Sequence, residues 1–207
     1  MSEYSLESPI DHKTIRQLRA GDRVYLTGPA FTCRSKLQRA VFDENLPMPV
    51  SLKPFDILIH AGPIVLTEAD GYHLVSFMPT SSVRFEKWGA QSIEQWGLRV
   101  IVGKTTMGAA TMDAMRRYGC VHLTPRSVSP TLWCDAIRIT GVELLEEMGS
   151  IEAPWQMMLN RLGPFVVDMD TEGNNLFDAL DQEIQKNKEI AYRKLGIPDH
   201  FQPTKLY

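Results

Sequence analysis

Leu98-Arg99-Val100-Ile101-Val102 is a compact, β-branched run set between two stretches of helical pattern. A run so short and so apolar fits a strand buried on both faces, which a sheet covered by helices provides. The segments on either side extend the alternation. Val83, Trp88, Ile93 and Trp96 suggest a helix ending at Gly97. A second helix runs from about Thr106 to Tyr118, with Arg116 and Arg117 in its last turn and Gly119 as its stop. Strands alternating with helices predict an α/β layered domain whose sheet is at least partly parallel.

The remaining segments fit around that centre. Val24 to Leu26, introduced by Gly21-Asp22, begins a strand that ends at Gly28-Pro29, and Arg34 to Asn45 reads as a helix closed off by Pro47 and Pro49. Asp56 to His60 is a second apolar strand, stopped by Ala61-Gly62-Pro63. Ile64 to Thr67 and Tyr72 to Phe77 suggest a hairpin about Ala69-Asp70-Gly71. Cys120 to Leu123 reads as a strand, Pro130 to about Ile139 as a helix, and the stretches near Val142 to Glu147 and Phe165 to Met169 as strands. Asp178 to Leu195 is the clearest helix, with apolar Leu180, Ile184, Ala191 and Leu195, and it stops at Gly196 with Pro198 beyond. Residues 1–18 are thus expected to be an N-terminal arm, 19–177 the folded domain, and 178–207 a C-terminal helix and tail.

Composition excludes several functions. A chain of 207 residues can bury its own core, and a net charge of −3 with scattered basic residues offers no phosphate-tracking stripe, so no nucleic-acid partner is expected. No apolar run approaches the roughly 18 residues of a membrane helix. Met1 to Asp11 is polar, with Glu3 and Glu7, and lacks the pattern of a signal peptide. The expected location is the cytoplasm, where Cys33, Cys120 and Cys134 stay reduced. Cys120 and Cys134, the closest pair, are 14 positions apart, so there is no CxxC-type metal or cluster motif.

Two motifs tempt and fail. Gly103-Lys104-Thr105 looks like the end of a phosphate-binding loop, which would predict ATP affinity. The glycine required five positions earlier is Leu98, in the expected strand, where extended backbone cannot curl round phosphates. Asp168-Met169-Asp170-Thr171-Glu172-Gly173 resembles the start of a calcium loop, but its twelfth position is Ala179 rather than glutamate, and a strand-to-helix turn is the preferred reading. His12, His60, His73, His122 and His200 show no paired ligand spacing, and no triad follows from their positions.

A polar constellation survives. Thr32 and Arg34 follow the first strand, His60 the second, Thr80, Ser81 and Arg84 the hairpin, and Lys104 the buried strand. Strand ends are where functional groups of α/β domains commonly lie. Three cations with hydroxyl groups suit a small dicarboxylate, because arginine forks pair bidentately with carboxylates and lysine adds a point charge. From pattern alone the plainer reading is preferred: Arg34 and Arg84 as solvated helix residues, and Thr80-Ser81-Ser82 as a helix cap.

Five segments in order alter that balance. They are Leu26-Thr27-Gly28-Pro29 with Thr32-Cys33-Arg34; His60-Ala61-Gly62-Pro63-Ile64-Val65; Pro79-Thr80-Ser81-Ser82-Val83-Arg84; Val102-Gly103-Lys104-Thr105-Thr106-Met107-Gly108; and Gly173-Asn174-Asn175-Leu176. Together, over roughly Arg19 to Phe177, they resemble the β subunit of L-tartrate dehydratase and the C-terminal domain of class I fumarases. The resemblance implies a swivelling β/β/α domain that closes over an active site completed by a partner. It implies a [4Fe–4S] cluster bound by a larger α subunit rather than by this chain, to which it assigns no metal ligand. Self-association in an α2β2-like assembly is implied as well.

Site residues follow from the same resemblance. Thr80 matches the family's catalytic threonine, implicated in moving a proton at the carbon beside a carboxylate. A threonine hydroxyl is a poor base unaided and needs a neighbouring charged group. Arg34, Arg84 and Lys104 match cations that grip substrate carboxylates, with Lys104 counted among the catalytic groups. Ser81 contributes to substrate binding, and His60 takes a supporting role. Several positions depart from the family pattern: Ser35, Gln38, Ser81, Val83, and a bulkier wall at Pro125, Arg126 and Val128. These bear on the substrate, which could be fumarate or malate, tartrate or oxaloacetate, or a methylated analogue such as mesaconate. A non-catalytic binding or regulatory subunit, motivated by Ser35 and Gln38, is the alternative.

Overall fold

The computed structural model describes residues 1–69, 71–126, 129–198, 200–202 and 204. The chain runs through β1 (Glu3–Glu7), α1 (His12–Ile15), β2 (Arg23–Thr32), α2 (Ser35–Phe42), β3 (Ile57–Ile59), β4 (Ile64–Glu68) and β5 (Gly71–Ser76). It continues through α3 (Glu86–Trp96), β6 (Val100–Val102), α4 (Ala109–Tyr118), β7 (Val121–Pro125), β8 (Ile137–Val142), α5 (Leu145–Met148), β9 (Trp155–Met169) and α6 (Leu176–Lys194). Met1–Asn175 form one compact unit and Leu176–Tyr207 a second. Among the described residues no helix is long and apolar enough to cross a membrane.

The expected α/β class holds: this is a mixed α/β protein with a sheet-rich core. Its central strands β3, β6 and β7 pair in parallel, and β2 joins β3 in parallel through Phe31 and Thr32. The sheet order is β1-β2-β3-β6-β7-β9-β8, and β9 also pairs antiparallel with β2. That last pairing closes β2, β3, β6, β7 and β9 into a ring. β9 can do this because it is 15 residues long: one stretch pairs with β8 and another with β7, while its other edge lies along β2.

Strand alternation builds two cores from the same strands. Ile57 and Ile59, Val100 and Val102, Val121 and Leu123, and Phe165 and Val167 fill one cluster. Leu58, Ile101 and Met169 point into the other, where they meet Leu37, Ile93, Trp96 and Met115 of the helices. β3 and β6 are therefore buried on both faces, as their composition predicts.

Three expectations are corrected. The N-terminal residues do not form a free arm: β1 pairs in parallel with β2, and Leu6, Ile10, Ile15 and Leu18 are buried. Its inward Tyr4 and Leu6 alternate with polar Glu3, Ser5 and Glu7, so the segment looks polar in sequence. The segment 130–139 is not a helix. A 3-10 turn at Cys134–Ala136 leads into β8, whose Ile137 and Ile139 face inward while Arg138 and Thr140 face out. Past Val142 the chain turns into the short α5 rather than a strand. The hairpin forms as β4 and β5, although Asp70 of its expected turn lies outside the described residues.

The segment weighed as a calcium loop is a strand-to-helix turn built on Asp170. Its carboxylate accepts from the amides of Ala20, Glu172 and Asn174 and from the Asn174 side chain. Burial would raise its pKa, but these hydrogen bonds outweigh burial and hold it below the ordinary carboxylate value. A depressed folded pKa stabilises above the unfolded value of about 3.9 and loses that contribution as pH falls through the folded value. Asp170→Asn is therefore expected to lower stability at neutral pH and to flatten the acid-side decline below about pH 4. Urea unfolding across pH checks this, and a decline as steep as that of the parent protein would contradict it.

Candidate functional site

The ends of β3 and β6 carry the polar residues selected from the sequence. His60 follows Ile59 directly, and its backbone N–H donates to the Val102 carbonyl at 2.9 Å. The chain from β5 then returns across these ends through Pro79 to Ser82. Thr80 N–H donates to the His60 carbonyl at 2.6 Å, Lys104 N–H to the Thr80 carbonyl at 2.8 Å, and Ser82 N–H to the Lys104 carbonyl at 2.8 Å. Ser81 is thereby bridged in parallel to Lys104. These backbone bonds place Thr80, Ser81 and Lys104 side by side.

The Ser82–Phe85 turn then brings Arg84 back over Thr80. The Arg84 Nη2 donates to Thr80 Oγ1 in a short hydrogen bond. Thr80 is buried and Arg84 is exposed, so the hydroxyl lies beneath a guanidinium that reaches solvent. Lys104 is half-buried, with Nζ 3.8 Å from Met78 Sδ. Arg34 stands at the end of β2, beside β3 through the Cys33 N–H to Ile59 carbonyl bond. Its Nε donates to Glu152 Oε1 at 2.9 Å, and the other oxygen of Glu152 accepts from the Lys36 amide. Hydrogen bonds thus join His60, Thr80, Arg84 and Lys104 and set Ser81 beside Lys104, whereas Arg34 is oriented separately from the neighbouring strand end.

Beneath this face runs a buried polar chain that sequence reasoning missed. His60 Nδ1 lies 2.9 Å from Ser82 Oγ, Ser82 Oγ lies 2.8 Å from His122 Nε2, and His122 Nδ1 lies 2.6 Å from Asp168 Oδ1. All four residues are 0% exposed. Burial drives His60 well below the ordinary histidine value, and the nearby His122 acts in the same direction. Burial raises the Asp168 carboxyl, while His122 pulls it back. The available signal was a charged or polar residue inside an apolar strand: His122 between Val121 and Leu123, and Asp168 after Phe165-Val166-Val167. Ser82, His122 and Asp168 have the composition of a nucleophilic triad, yet the serine oxygen is enclosed between two imidazoles and no substrate reaches it.

The departures from the family pattern lie mostly away from this face. Gln38 is fully buried and donates to Ser92 Oγ at 3.1 Å, between α2 and α3. Ser35 is the exposed first residue of α2, and Val83 is exposed in the turn before α3. Pro125 ends β7 and Arg126 is exposed, while Val128 lies outside the described residues.

The sequence matches the family described as Fumarase C-terminus over residues 1–180. It is 35% identical over 190 residues to the L(+)-tartrate dehydratase subunit beta of Escherichia coli strain K12, covering 89% of this chain and 88% of that one. A putative L(+)-tartrate dehydratase subunit beta of Methanocaldococcus jannaschii is 30% identical over 186 residues, covering 88% of this chain and 94% of that one. A putative class I fumarate hydratase of Geobacillus stearothermophilus is 30% identical over 180 residues, which cover 86% of this chain and 34% of that protein.

Proposed function

Because the chain belongs to the Fumarase C-terminus family, we propose that it is the small β subunit of a hydro-lyase that adds water to, or removes it from, a C4-type dicarboxylate. The observation that carries this reading is the Arg84 guanidinium donating to the Thr80 hydroxyl oxygen. A threonine is too weak an acid to take part in proton transfer unaided, and an adjacent permanent cation stabilises the oxygen as negative charge develops on it. Thr80 is thus suited to holding or moving a proton beside a substrate carboxylate. Arg84 and Lys104 flank it, and Glu152 engages Arg34 through Nε, so that the fork of its guanidinium is what a carboxylate meets. Ser81 adds a hydroxyl at the same strand end, and His60 supports the floor.

The face is open on this chain: Arg84 is exposed, and Arg34 and Lys104 are half-buried. Charge stabilisation of this kind needs water excluded. A larger α subunit closing over the face supplies that exclusion, and swivelling of this domain against it admits and releases the substrate. The proposal places the [4Fe–4S] cluster on that partner. The residues here do not suit a cluster: Cys33 and Cys120 are buried, with burial raising their thiols, and the described residues contain no group of three metal-capable side chains. The assembly proposed is α2β2-like.

Purification with and without its α subunit under anaerobic conditions tests the reading. The chain alone should show no turnover, and the complex should turn over at least one of tartrate, fumarate, malate or mesaconate. Calorimetric binding of these acids by a complex that turns over none of them would establish the regulatory alternative. Neither binding nor turnover would overturn both.

A further inference from the structure

The buried chain from His60 to Asp168 joins elements that meet only in the folded protein: the ends of β3 and β9, the start of β7, and the segment that carries Thr80. Its junction is the Ser82 hydroxyl, for which space exists only because residue 103 is glycine. A Cβ there would fall 1.8 Å from Ser82 Oγ and 3.2 Å from the Thr80 carbonyl oxygen. Ser82 also binds Lys104 through its backbone and lies two residues beyond Thr80. A disturbance of its side chain therefore passes directly to both.

With both imidazoles neutral, the hydrogen bonds of such a chain all run one way, because each interior group donates to one neighbour and accepts from the other. A carboxylate only accepts, so Asp168 takes the Nδ1 proton of His122. Nε2 of a neutral His122 is then bare and accepts the Ser82 hydroxyl proton, and the Ser82 oxygen accepts from His60 Nδ1–H. The far end agrees. His60 Nε2 has no hydrogen-bond partner among the described residues, and the ring packs on Phe85 with centroids 4.3 Å apart. A lone pair is tolerated there better than an orphaned buried N–H.

We propose that Asp168, His122 and Ser82 are positioning residues for the reaction, forming one directional hydrogen-bond chain that ends on His60 and holds Thr80 and Lys104 in reacting geometry. This rests on the hydro-lyase reading above. Displacement of a reacting group by about 1 Å costs on the order of 100-fold in rate, so the chain governs turnover more than substrate affinity.

Nitrogen-15 NMR of the histidine rings in the full chain, and kinetics of the complex with its α subunit, test this together. In the parent protein His60 and His122 should both carry a proton on Nδ1 and leave Nε2 bare; His60 carrying its proton on Nε2, or on both nitrogens, overturns the direction. Ser82→Ala should release His60 toward the Nε2–H form, speed amide exchange at Lys104 and Thr80, and lower kcat by about 10- to 100-fold with KM within about threefold. Asp168→Asn, which can donate to His122 as well as accept from it, serves if the serine variant fails to fold, and should reduce kcat comparably. Unchanged tautomers and amide exchange in the variants overturn the inference even if no dicarboxylate is turned over. An inactive parent complex overturns the hydro-lyase reading, whereas an active parent with fully active variants overturns only this one.

Discussion

Thr80→Ala in the assembled complex is expected to lower kcat by about a thousandfold, within the range that a positioned proton-transfer group contributes. KM and subunit assembly should change little. Thr80 is held in place by backbone bonds, from its N–H to the His60 carbonyl at 2.6 Å and from the Lys104 N–H to its own carbonyl at 2.8 Å. Alanine keeps both. It removes the hydroxyl beneath Arg84 together with the γ-methyl, and that guanidinium is exposed, so water can replace the lost acceptor. On the proposed reading Arg34, Arg84 and Lys104 remain to bind carboxylates, which is why affinity should persist. Thr80→Ser retains the hydroxyl and should recover most of the rate. Steady-state kinetics of both variants decide the matter, and near-parental turnover by the alanine variant would remove Thr80 from the mechanism.

The second large effect concerns the strand that closes the ring. Trp155→Ala is expected to destabilise the folded chain by about 3–5 kcal/mol, the usual range for deleting a buried aromatic side chain. Trp155 opens β9 and is 1% exposed. Its ring meets Tyr72 of β5 edge-on at 5.3 Å, its indole N–H donates to the Ser150 carbonyl at 2.7 Å, and its backbone N–H donates to Thr32 Oγ1 at 2.9 Å. Truncation leaves a cavity between β9 and the hairpin and strips the Ser150 carbonyl of its donor. Trp155→Phe keeps a ring and loses the donor, so it should cost about 1–2 kcal/mol. Urea midpoints measure both, and a loss below about 1 kcal/mol for alanine would show that this end of β9 does not anchor the ring.

Much of the architecture was legible locally. The run Leu98 to Val102 and the glycine stops at Gly97 and Gly119 mark β6, α3 and α4, because burial on both faces and left-handed helix ends leave direct traces in residue type. The Thr80-Ser81, Arg84 and Lys104 cluster was legible through ordered motifs, each near a strand end. Long-range pairing left weaker traces. β1 pairs with β2 although polar Glu3, Ser5 and Glu7 alternate with its inward Tyr4 and Leu6, and the start of β8 reads as the end of a helix because Pro130 mimics a helix start while only Ile137 and Ile139 alternate inward. The length of β9 beyond Phe165–Met169 was also missed, since polar and glycine positions interrupt its alternation.

The sequence by itself determined the α/β class, the central strands and helices, and that several cations and hydroxyls lie near strand ends. Period, composition and turn chemistry act between residues close in the chain. Only the tertiary structure decided that β9 closes the sheet on β2, and that Arg84 folds back onto Thr80. It alone joined His60, Ser82, His122 and Asp168, whose Ser82–His122 and His122–Asp168 links span 40 and 46 positions. Such contacts depend on register and on where a glycine leaves room, and a polar residue inside an apolar run signals burial without naming the partner that meets it across the sheet.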